Sequence, residues 1–116
     1  MRALLDPHGP DPRTAQGLHD RYRPPQPRWV RASMIASVDG AATDAGLSGG
    51  LGSKTDQQVL SMLREHADVV LVGAGTVRAE GYGPFSPGVE RQARRRTDGR
   101  APTPRLAVVG RATAWT

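Results

Sequence analysis

Apolar residues are spaced regularly in the middle of the chain, and their spacing predicts the first two elements. Residues 29–38, WVRASMIASV, are rich in apolar and β-compatible side chains and end at an Asp-Gly pair, which predicts a strand followed by a turn. Ser53 and Asp56 have the spacing of a capping box. The apolar residues that follow recur at helical spacing: Val59, Leu60, Met62, Leu63 and Ala67. We therefore expect an amphipathic helix that begins at Ser53.

Further elements follow Asp68. Residues 69–72, VVLV, form a continuous β-branched and apolar run, which is typical of a strand buried on both faces. Two glycines end that strand, residues 77–80 predict a short helix, and RLAVV at 105–109 predicts another strand. The polar, arginine-rich residues 85–104 between them predict a long loop. This order predicts an α/β sheet joined by right-handed crossovers.

Composition separates the chain into regions. Leu, Ile, Val and Phe make up only 21 of 116 residues, a fraction found in partly disordered chains. Most of them lie in residues 28–84, whereas residues 1–27 hold six of the ten prolines. Residues 1–27 therefore predict a flexible, proline-rich segment, in which 18–22 can form one helical turn. The length allows one small domain, which we place at residues 28–116.

Several function classes are excluded by composition. No run approaches the length of a membrane span, and the first residues lack a signal-peptide core. Without cysteine there is neither a disulfide nor a Cys-ligated zinc. The three histidines, His8, His19 and His66, are far apart in sequence, so we predict no metal site. We expect a soluble protein of the cytoplasm.

The net charge of +5 arises at the C-terminal end, where seven arginines face one aspartate from Arg91 onward. The cluster of Arg91, Arg94, Arg95 and Arg96 has no interleaved aromatic residues on which bases could stack. We therefore do not expect nucleic-acid binding, and we interpret the cluster as a solvated part of the loop. A polyanion-binding module is the alternative interpretation.

Residues 69–84, VVLVGAGTVRAEGYGP, are the sharpest local feature. A strand that runs through Gly73 and Gly75 into a helix presents backbone N–H groups to phosphate in many α/β proteins. The dinucleotide fingerprint requires a third glycine where Arg78 stands, and no P-loop is present. The two glycines fit a tight turn equally well. From local sequence alone, Thr76 fits an N-cap and Glu80 fits a first-turn residue that complements the helix dipole.

Two charged residues have similarly open interpretations. Asp39 lies at the end of the first predicted strand, where side chains often line the cleft of an open α/β sheet, but it also fits a turn before glycine. Arg64 lies beside the apolar stripe of the predicted helix. Its guanidinium is either solvated or a clamp for a substrate phosphate.

The segments ASMIASVDGAAT, SGGLGS, LREHADVVLVGAGTVRAEGYGP and PRLAVV, in this order and spacing, resemble the pyrimidine reductases of riboflavin biosynthesis. The resemblance implies a dihydrofolate-reductase-like fold, with a mixed sheet, helices on both faces, and NADPH along the strand ends. It also implies homodimers that reduce 5-amino-6-(5-phosphoribosylamino)uracil to its ribitylamino form. The deaminase motifs of the bifunctional relatives are absent from this sequence.

The same resemblance assigns roles to individual residues. Ser48 and Arg64 match substrate-contacting positions, with Arg64 at the phosphate. It matches Ile35, Gly50, Thr76 and Glu80 to positions that contact the cofactor, and we add Gly73 and Gly75 to the cofactor site from the strand–turn–helix pattern described above. Asp39 matches the strand-end aspartate, for which we expect a polar role near hydride transfer.

The resemblance ends before the later part of the family's domain, which carries a Gly-Gly loop for the NADPH phosphates. We therefore expect the chain to be the N-terminal part of a reductase domain. The alternative function is an inactive half-domain that acts only in interactions or in binding polyanions.

Overall fold

A computed structural model describes residues 8–42, 45 and 51–111. Within these residues it contains four helices and two strands, in an α/β arrangement. In chain order the elements are α1 (Ala15–Arg21), α2 (Lys54–His66), β1 (Val69–Gly73), α3 (Ala74–Glu80), α4 (Val89–Thr97) and β2 (Arg105–Val109). The α/β class and the predicted strand at 105–109 are confirmed.

The two strands form a parallel sheet, with Val69 opposite Arg105 and Gly73 opposite Val109. Parallel strands need a crossover connection, and here α3 and α4 supply it. Helix α3 packs against both strands. Its first residue, Ala74, is buried, and a Cβ at Gly110 would lie 2.8 Å from the Ala74 Cβ. The end of β2 can therefore approach α3 this closely only with glycine at position 110.

Helix α2 begins as the capping pattern predicts. The Asp56 amide donates to the Ser53 hydroxyl at 3.2 Å, and this bond satisfies one of the unpaired amides of the first turn. Met62 is buried on this helix. Both α1 and α4 pack against α2, which makes it the centre of the helical part of the molecule.

The interior is small and unusually polar. Besides Gly17, the buried apolar residues among the described ones are Met62, Ala74 and Pro104, whereas four buried residues are polar or charged: His19, Glu65, His66 and Arg95. Buried ionisable groups need partners, because desolvating an unpaired charge is costly. Hydrogen bonds and ion pairs therefore provide many of the contacts between α1, α2 and α4.

The predicted strand at residues 29–38 is not formed. This segment has no ladder partner among the described residues, and Val30, Met34 and Val38 are almost fully exposed. A strand exists only through hydrogen bonds to a neighbour, so apolar β-compatible composition alone does not produce one. The predicted Asp-Gly turn is confirmed: the Gly40 amide donates to Ser37 O at 2.9 Å, and Gly40 has a φ of +89°.

The expected burial of β1 on both faces is also wrong. Its burial alternates, and Val69 and Leu71 are 51% and 67% exposed. In the described part of the chain, the packing on this sheet comes from α3, which covers one face and leaves the other open. The continuous apolar run indicated the strand correctly but not its surroundings.

The predicted loop at residues 85–104 contains a helix, α4. The helix follows Gly88 and ends before Gly99, whose φ of +74° is the left-handed conformation that glycine adopts readily. Arginine is a good helix former, but the segment has too few apolar residues to show helical periodicity. Its contacts with α2 stabilise it through polar groups instead.

The N-terminal segment is likewise more ordered than predicted. Helix α1 confirms the expected helical turn and extends it: the Gly17 amide donates to the Thr14 hydroxyl at 2.9 Å. Gly17 and His19 are buried. A Cβ at Gly17 would lie 1.8 Å from Asp11 O, so the chain before the helix crosses directly over this glycine. Residues 8–22 are therefore a packed element and not a flexible lead-in.

Candidate functional site

Arg64 lies at a corner between two aromatic rings. Its Nη2 atom donates to Tyr82 Oη at 3.0 Å. The centre of its guanidinium is 4.4 Å from the ring centroid of Phe85 and 5.3 Å from that of Tyr82. The two rings meet edge to face, with centroids 5.9 Å apart and planes at 75°. Arg64 is thus held in one place and is not a freely solvated side chain.

The charge of Arg64 is not neutralised by a carboxylate within the described ranges. Its Nε atom is buried, and no described group accepts a hydrogen bond from it. A buried donor without an acceptor is uncommon and calls for an explanation. An oxyanion bound to the guanidinium would supply the missing negative charge.

The β1–α3 turn lies shortly before Tyr82 and Phe85 in the chain. Gly73 caps α3 without a side-chain hydrogen bond, and a Cβ built at Gly75 would meet nothing within 4 Å. Thr76 is exposed and lies inside the helix, so the interpretation of Thr76 as its N-cap is wrong. The helix starts three residues earlier than the predicted 77–80 because Gly73 already supplies the extended cap conformation.

Helix α3 links this turn to the aromatic corner. It runs from Ala74 to Glu80 and ends at Gly81, whose φ of +65° turns the chain directly into Tyr82. Arg64 reaches the same corner from the last turn of α2. The structure therefore places the predicted substrate residue Arg64 next to the residues that follow the predicted cofactor residues Thr76 and Glu80.

Asp39 lies elsewhere, in the exposed turn of residues 37–41. Ser37 Oγ donates to its carboxylate, and this bond, followed by the Ala41 amide, lowers the pKa of Asp39 from its usual 3.8. The turn interpretation is confirmed, and the group is ionised at neutral pH. Ile35 is half-buried in the preceding segment. Ser48 and Gly50 lie outside the described residues.

A second polar cluster, which the sequence did not indicate, joins α1, α2 and α4 around the buried Glu65. Arg94 contacts the Glu65 carboxylate with both Nε and Nη2, at 2.7 and 3.1 Å. Arg91 Nε lies 3.6 Å from the same carboxylate, and His19 Nε2 lies 3.4 Å from it. No sequence pattern singles out Glu65. Its role becomes visible only when α1, α2 and α4 pack together.

Two histidines that are far apart in sequence meet in this cluster. The rings of His19 and His66 are 4.0 Å apart, and His66 Nε2 lies 2.7 Å from the main-chain oxygen of His19. Because a carbonyl only accepts, His66 carries its proton on Nε2. Across the described ranges, no group of three or more His, Cys, Asp or Glu side chains is arranged to hold a metal ion. No described helix is long and apolar enough to cross a membrane.

Arginines also cap the C-terminal end of α2. Arg95 donates to the main-chain oxygens of Glu65 and Ala67, and Arg100 donates to that of His66. Arg95 further donates to Ala101 O at 2.7 Å. The spacing of Arg91, Arg94 and Arg95 is i, i+3, i+4, which is the one signal in the sequence that could have predicted a helix face here.

Comparisons with known proteins show which family the chain resembles. The family model of the RibD C-terminal domain matches residues 28–116. Among solved structures, a pyrimidine reductase-like protein from Corynebacterium diphtheriae is similar, with 36% sequence identity and a TM-score of 0.67. The similarity covers 72% of this chain and 34% of that protein, so the chain spans about a third of its length. No curated protein matches the chain.

Proposed function

The chain belongs to the RibD C-terminal domain family, and from this premise we propose that it forms part of a pyrimidine reductase of riboflavin biosynthesis. The reaction is the NADPH-dependent reduction of 5-amino-6-(5-phosphoribosylamino)uracil to its ribitylamino form. The observation that carries the proposal is the uncompensated, partly buried Arg64 guanidinium beside the residues that follow the β1–α3 turn. The protein forms homodimers in the cytoplasm, as the family resemblance implies.

The β1–α3 turn fits a nicotinamide cofactor. The space beside Gly75 is open, Gly73 caps α3 with no side chain, and Thr76 offers an exposed hydroxyl one position further on. Glycines at such a turn let a ligand approach the backbone closely. Gly73, Gly75 and Thr76 would hold the cofactor, with Ile35, Gly50 and Glu80 as additional contacts. When bound, NADPH supplies the hydride.

The chain's own residues bind and orient the substrate. Arg64 binds the substrate phosphate through its planar fork of N–H donors, together with Ser48. Fixing the phosphate fixes the sugar, and this positioning lowers the barrier for transfer between two bound molecules. The lowered pKa of Asp39 keeps its carboxylate ionised at neutral pH, so the polar role proposed for it is that of a hydrogen-bond acceptor and not of a proton donor.

The alternative function is a polyanion-binding module, but most of the arginines it would need are engaged by other groups of the protein. Arg94 is engaged by Glu65, Arg91 approaches the same carboxylate, and Arg95 is 1% exposed. Of the four clustered arginines, only Arg96 is fully on the surface. The cluster builds the fold and leaves little charge for an external polyanion.

The test is to titrate the full chain with NADPH and to follow consumption of the reduced nicotinamide when substrate is added. We expect saturable NADPH binding that is stronger than NADH binding. Arg64→Ala should keep the NADPH affinity and lose substrate-dependent oxidation, whereas Arg78→Ala, an exposed arginine of α3, should leave both unchanged. Absence of NADPH binding by the wild-type chain would refute the proposed function for this polypeptide.

A further inference from the structure

We propose that Tyr82 and Phe85 are positioning residues that hold the Arg64 guanidinium ready for the phosphomonoester of the substrate. This inference rests on the proposed function and adds a specific device to it. The device is the corner formed by the two rings, which the guanidinium fills. Tyr82 and Phe85 do not themselves contact the phosphate.

The first argument is geometric. A free arginine side chain has many rotamers, and fixing it on binding costs conformational entropy. Here Tyr82 Oη accepts from Nη2 at 3.0 Å, and the Phe85 ring lies 4.4 Å from the guanidinium centre. Both contacts are made by residues of the chain itself. The entropic cost of ordering Arg64 is therefore met in the folded chain, so a bound anion gains affinity.

The second argument is electrostatic. Aromatic ring faces attract a cation, but they are far weaker partners than a carboxylate and do not cancel its charge. Arg64 has five N–H donors, of which one goes to Tyr82 and another, Nε–H, is buried without an acceptor among the described residues. Arg94 provides the contrast, because two of its donors are engaged by Glu65. Arg64 therefore keeps its charge, and its remaining donors are left for a ligand.

The third argument concerns the ligand class. A planar guanidinium matches the oxygens of a phosphate with two parallel hydrogen bonds, which a single ammonium cannot reproduce. Tyr82 and Phe85 fix the plane of that fork as well as its position. The arrangement therefore suits a dianionic phosphomonoester on a sugar.

A second arginine–tyrosine pair in the chain serves as a matched control. Arg31 lies 5.6 Å from the Tyr22 ring centroid, and it donates from Nη1 to the Tyr22 main-chain oxygen at 2.8 Å. This pair shares the cation–ring contact with Arg64 but is exposed, and its hydrogen bond goes to the backbone. Tyr22→Phe therefore removes the hydroxyl of a ring that contacts an arginine and leaves Tyr82 and Phe85 unchanged.

The experiment measures the binding of ribose 5-phosphate to the full chain by calorimetry, for the wild type and for Tyr82→Phe, Phe85→Leu, Arg64→Lys, Tyr22→Phe and Arg96→Ala. We expect Tyr82→Phe and Phe85→Leu each to weaken binding about three- to tenfold, the range of one hydrogen bond or one cation–ring contact. Arg64→Lys should weaken it further. Tyr22→Phe and Arg96→Ala should leave it unchanged, and thermal melts identify any variant that is not folded.

A second readout separates positioning from simple packing. The Arg64 Nε–H resonance should show faster motion in Tyr82→Phe and Phe85→Leu than in the wild type, and ribose 5-phosphate should restore the wild-type behaviour. With active protein, these variants should raise KM for the phosphorylated substrate more than they lower kcat. A purely structural role would change the melting temperature but not these quantities selectively.

The outcomes divide cleanly. Ribose 5-phosphate affinity that Tyr82→Phe and Phe85→Leu leave unchanged overturns the positioning role, and so does a wild-type chain that does not bind this probe. The proposed function fails separately, through absence of NADPH binding. If ribose 5-phosphate binds with the expected variant pattern but NADPH does not bind, the positioning role of Tyr82 and Phe85 is supported and only the reductase proposal is refuted.

Discussion

Arg95 Nη1 donates a hydrogen bond to the main-chain oxygen of Glu65 at 2.6 Å, which joins α4 to the last turn of α2. A further bond from the same atom reaches Ala67 O at 2.7 Å. The last carbonyls of a helix have no partner within it and carry the negative end of its dipole. A buried arginine from a neighbouring helix satisfies both needs, and it explains why Arg95 is the most deeply buried large side chain described.

Replacing Arg95 with methionine should destabilise the fold. The substitution keeps an unbranched side chain but removes every donor, so several buried carbonyls lose their partner. We expect the free energy of unfolding to fall by about 2–4 kcal/mol, as for the loss of charged hydrogen bonds at a buried site. Urea denaturation followed by circular dichroism measures this change. The exposed neighbour Arg96→Met is the control, and a similar loss in both variants would contradict the capping role.

The Glu65–Arg94 pair should show a larger coupling energy than an exposed pair of the same geometry. Glu65 is 4% exposed, and both of its carboxylate oxygens accept from Arg94. A double-mutant cycle with Glu65→Gln and Arg94→Met should give about 1–3 kcal/mol, the range for contacting residues of one network. The Arg94 side chain is 37% exposed, so solvent screening keeps the value below that of a fully buried pair.

The matched exposed pair is Asp11–Arg13. Its Nε and Nη2 contacts, at 3.0 and 2.9 Å, resemble those of Arg94, but both side chains face water. The corresponding cycle, Asp11→Asn with Arg13→Met, should give a clearly smaller coupling. Equal couplings in the two cycles would show that burial does not strengthen the Glu65 interaction.

Acidification should destabilise the α1–α2 contact through His66. Burial lowers the pKa of His66 below its usual 6.5, against the opposing effect of its hydrogen bond to His19 O. Below pH 6.5 the unfolded chain therefore binds a proton that the folded chain does not, and stability falls as the pH drops towards the folded pKa. Above pH 6.5 the effect is absent.

His66→Gln should make the stability of the chain depend less on pH in this window. The amide of glutamine can still donate to His19 O, but it does not titrate. Thermal melts from pH 8 to pH 5 measure the difference between the two proteins. The wild-type decline should begin near pH 6.5, above the range in which Asp11, Asp20 and Asp39 titrate, since the pKa of each is lowered. Parallel curves for wild type and variant would exclude His66 as the cause.

The elements with strong local signals were predictable from the sequence. A capping serine and helical spacing indicated α2, and short apolar runs indicated β1 and β2. Helix α4 was missed because its face consists of arginines, whose partners are Glu65 and the carbonyls of α2 and not apolar side chains. The prediction of a strand at residues 29–38 was wrong for the opposite reason. Their composition favours a strand, but a strand needs a neighbour that local sequence does not specify.

The candidate site, like the fold, was predictable from the sequence only in part. The resemblance identified Arg64, but nothing in the sequence placed it against Tyr82 and Phe85, 18 and 21 positions further along the chain. That contact depends on α3 ending at Gly81 and turning back towards α2. Similarly, His19 and His66 come together only because α1 packs on α2. Contacts between elements arise from packing, which short-range patterns do not encode.

Two glycines should respond in opposite ways to substitution by alanine. Gly99 has a φ of +74°, which an L side chain rarely adopts, so Gly99→Ala should lower the free energy of unfolding by about 1–2 kcal/mol. Gly75 lies inside α3, where a Cβ meets nothing within 4 Å. Because alanine favours the helix, Gly75→Ala should raise stability by up to about 1 kcal/mol.

The effects on NADPH should be reversed. A methyl group at position 75 projects into the open space that we propose for the cofactor, so Gly75→Ala should weaken NADPH binding although it stabilises the chain. Gly99→Ala lies at the end of α4 and should leave the NADPH affinity of the folded protein unchanged. Urea denaturation and an NADPH fluorescence titration, performed on the same preparations, measure the two quantities. No described residue lies within 4 Å of a Cβ at position 75, so the fold itself does not require glycine there. If Gly75→Ala binds NADPH as tightly as the wild type, glycine at this position does not serve the cofactor.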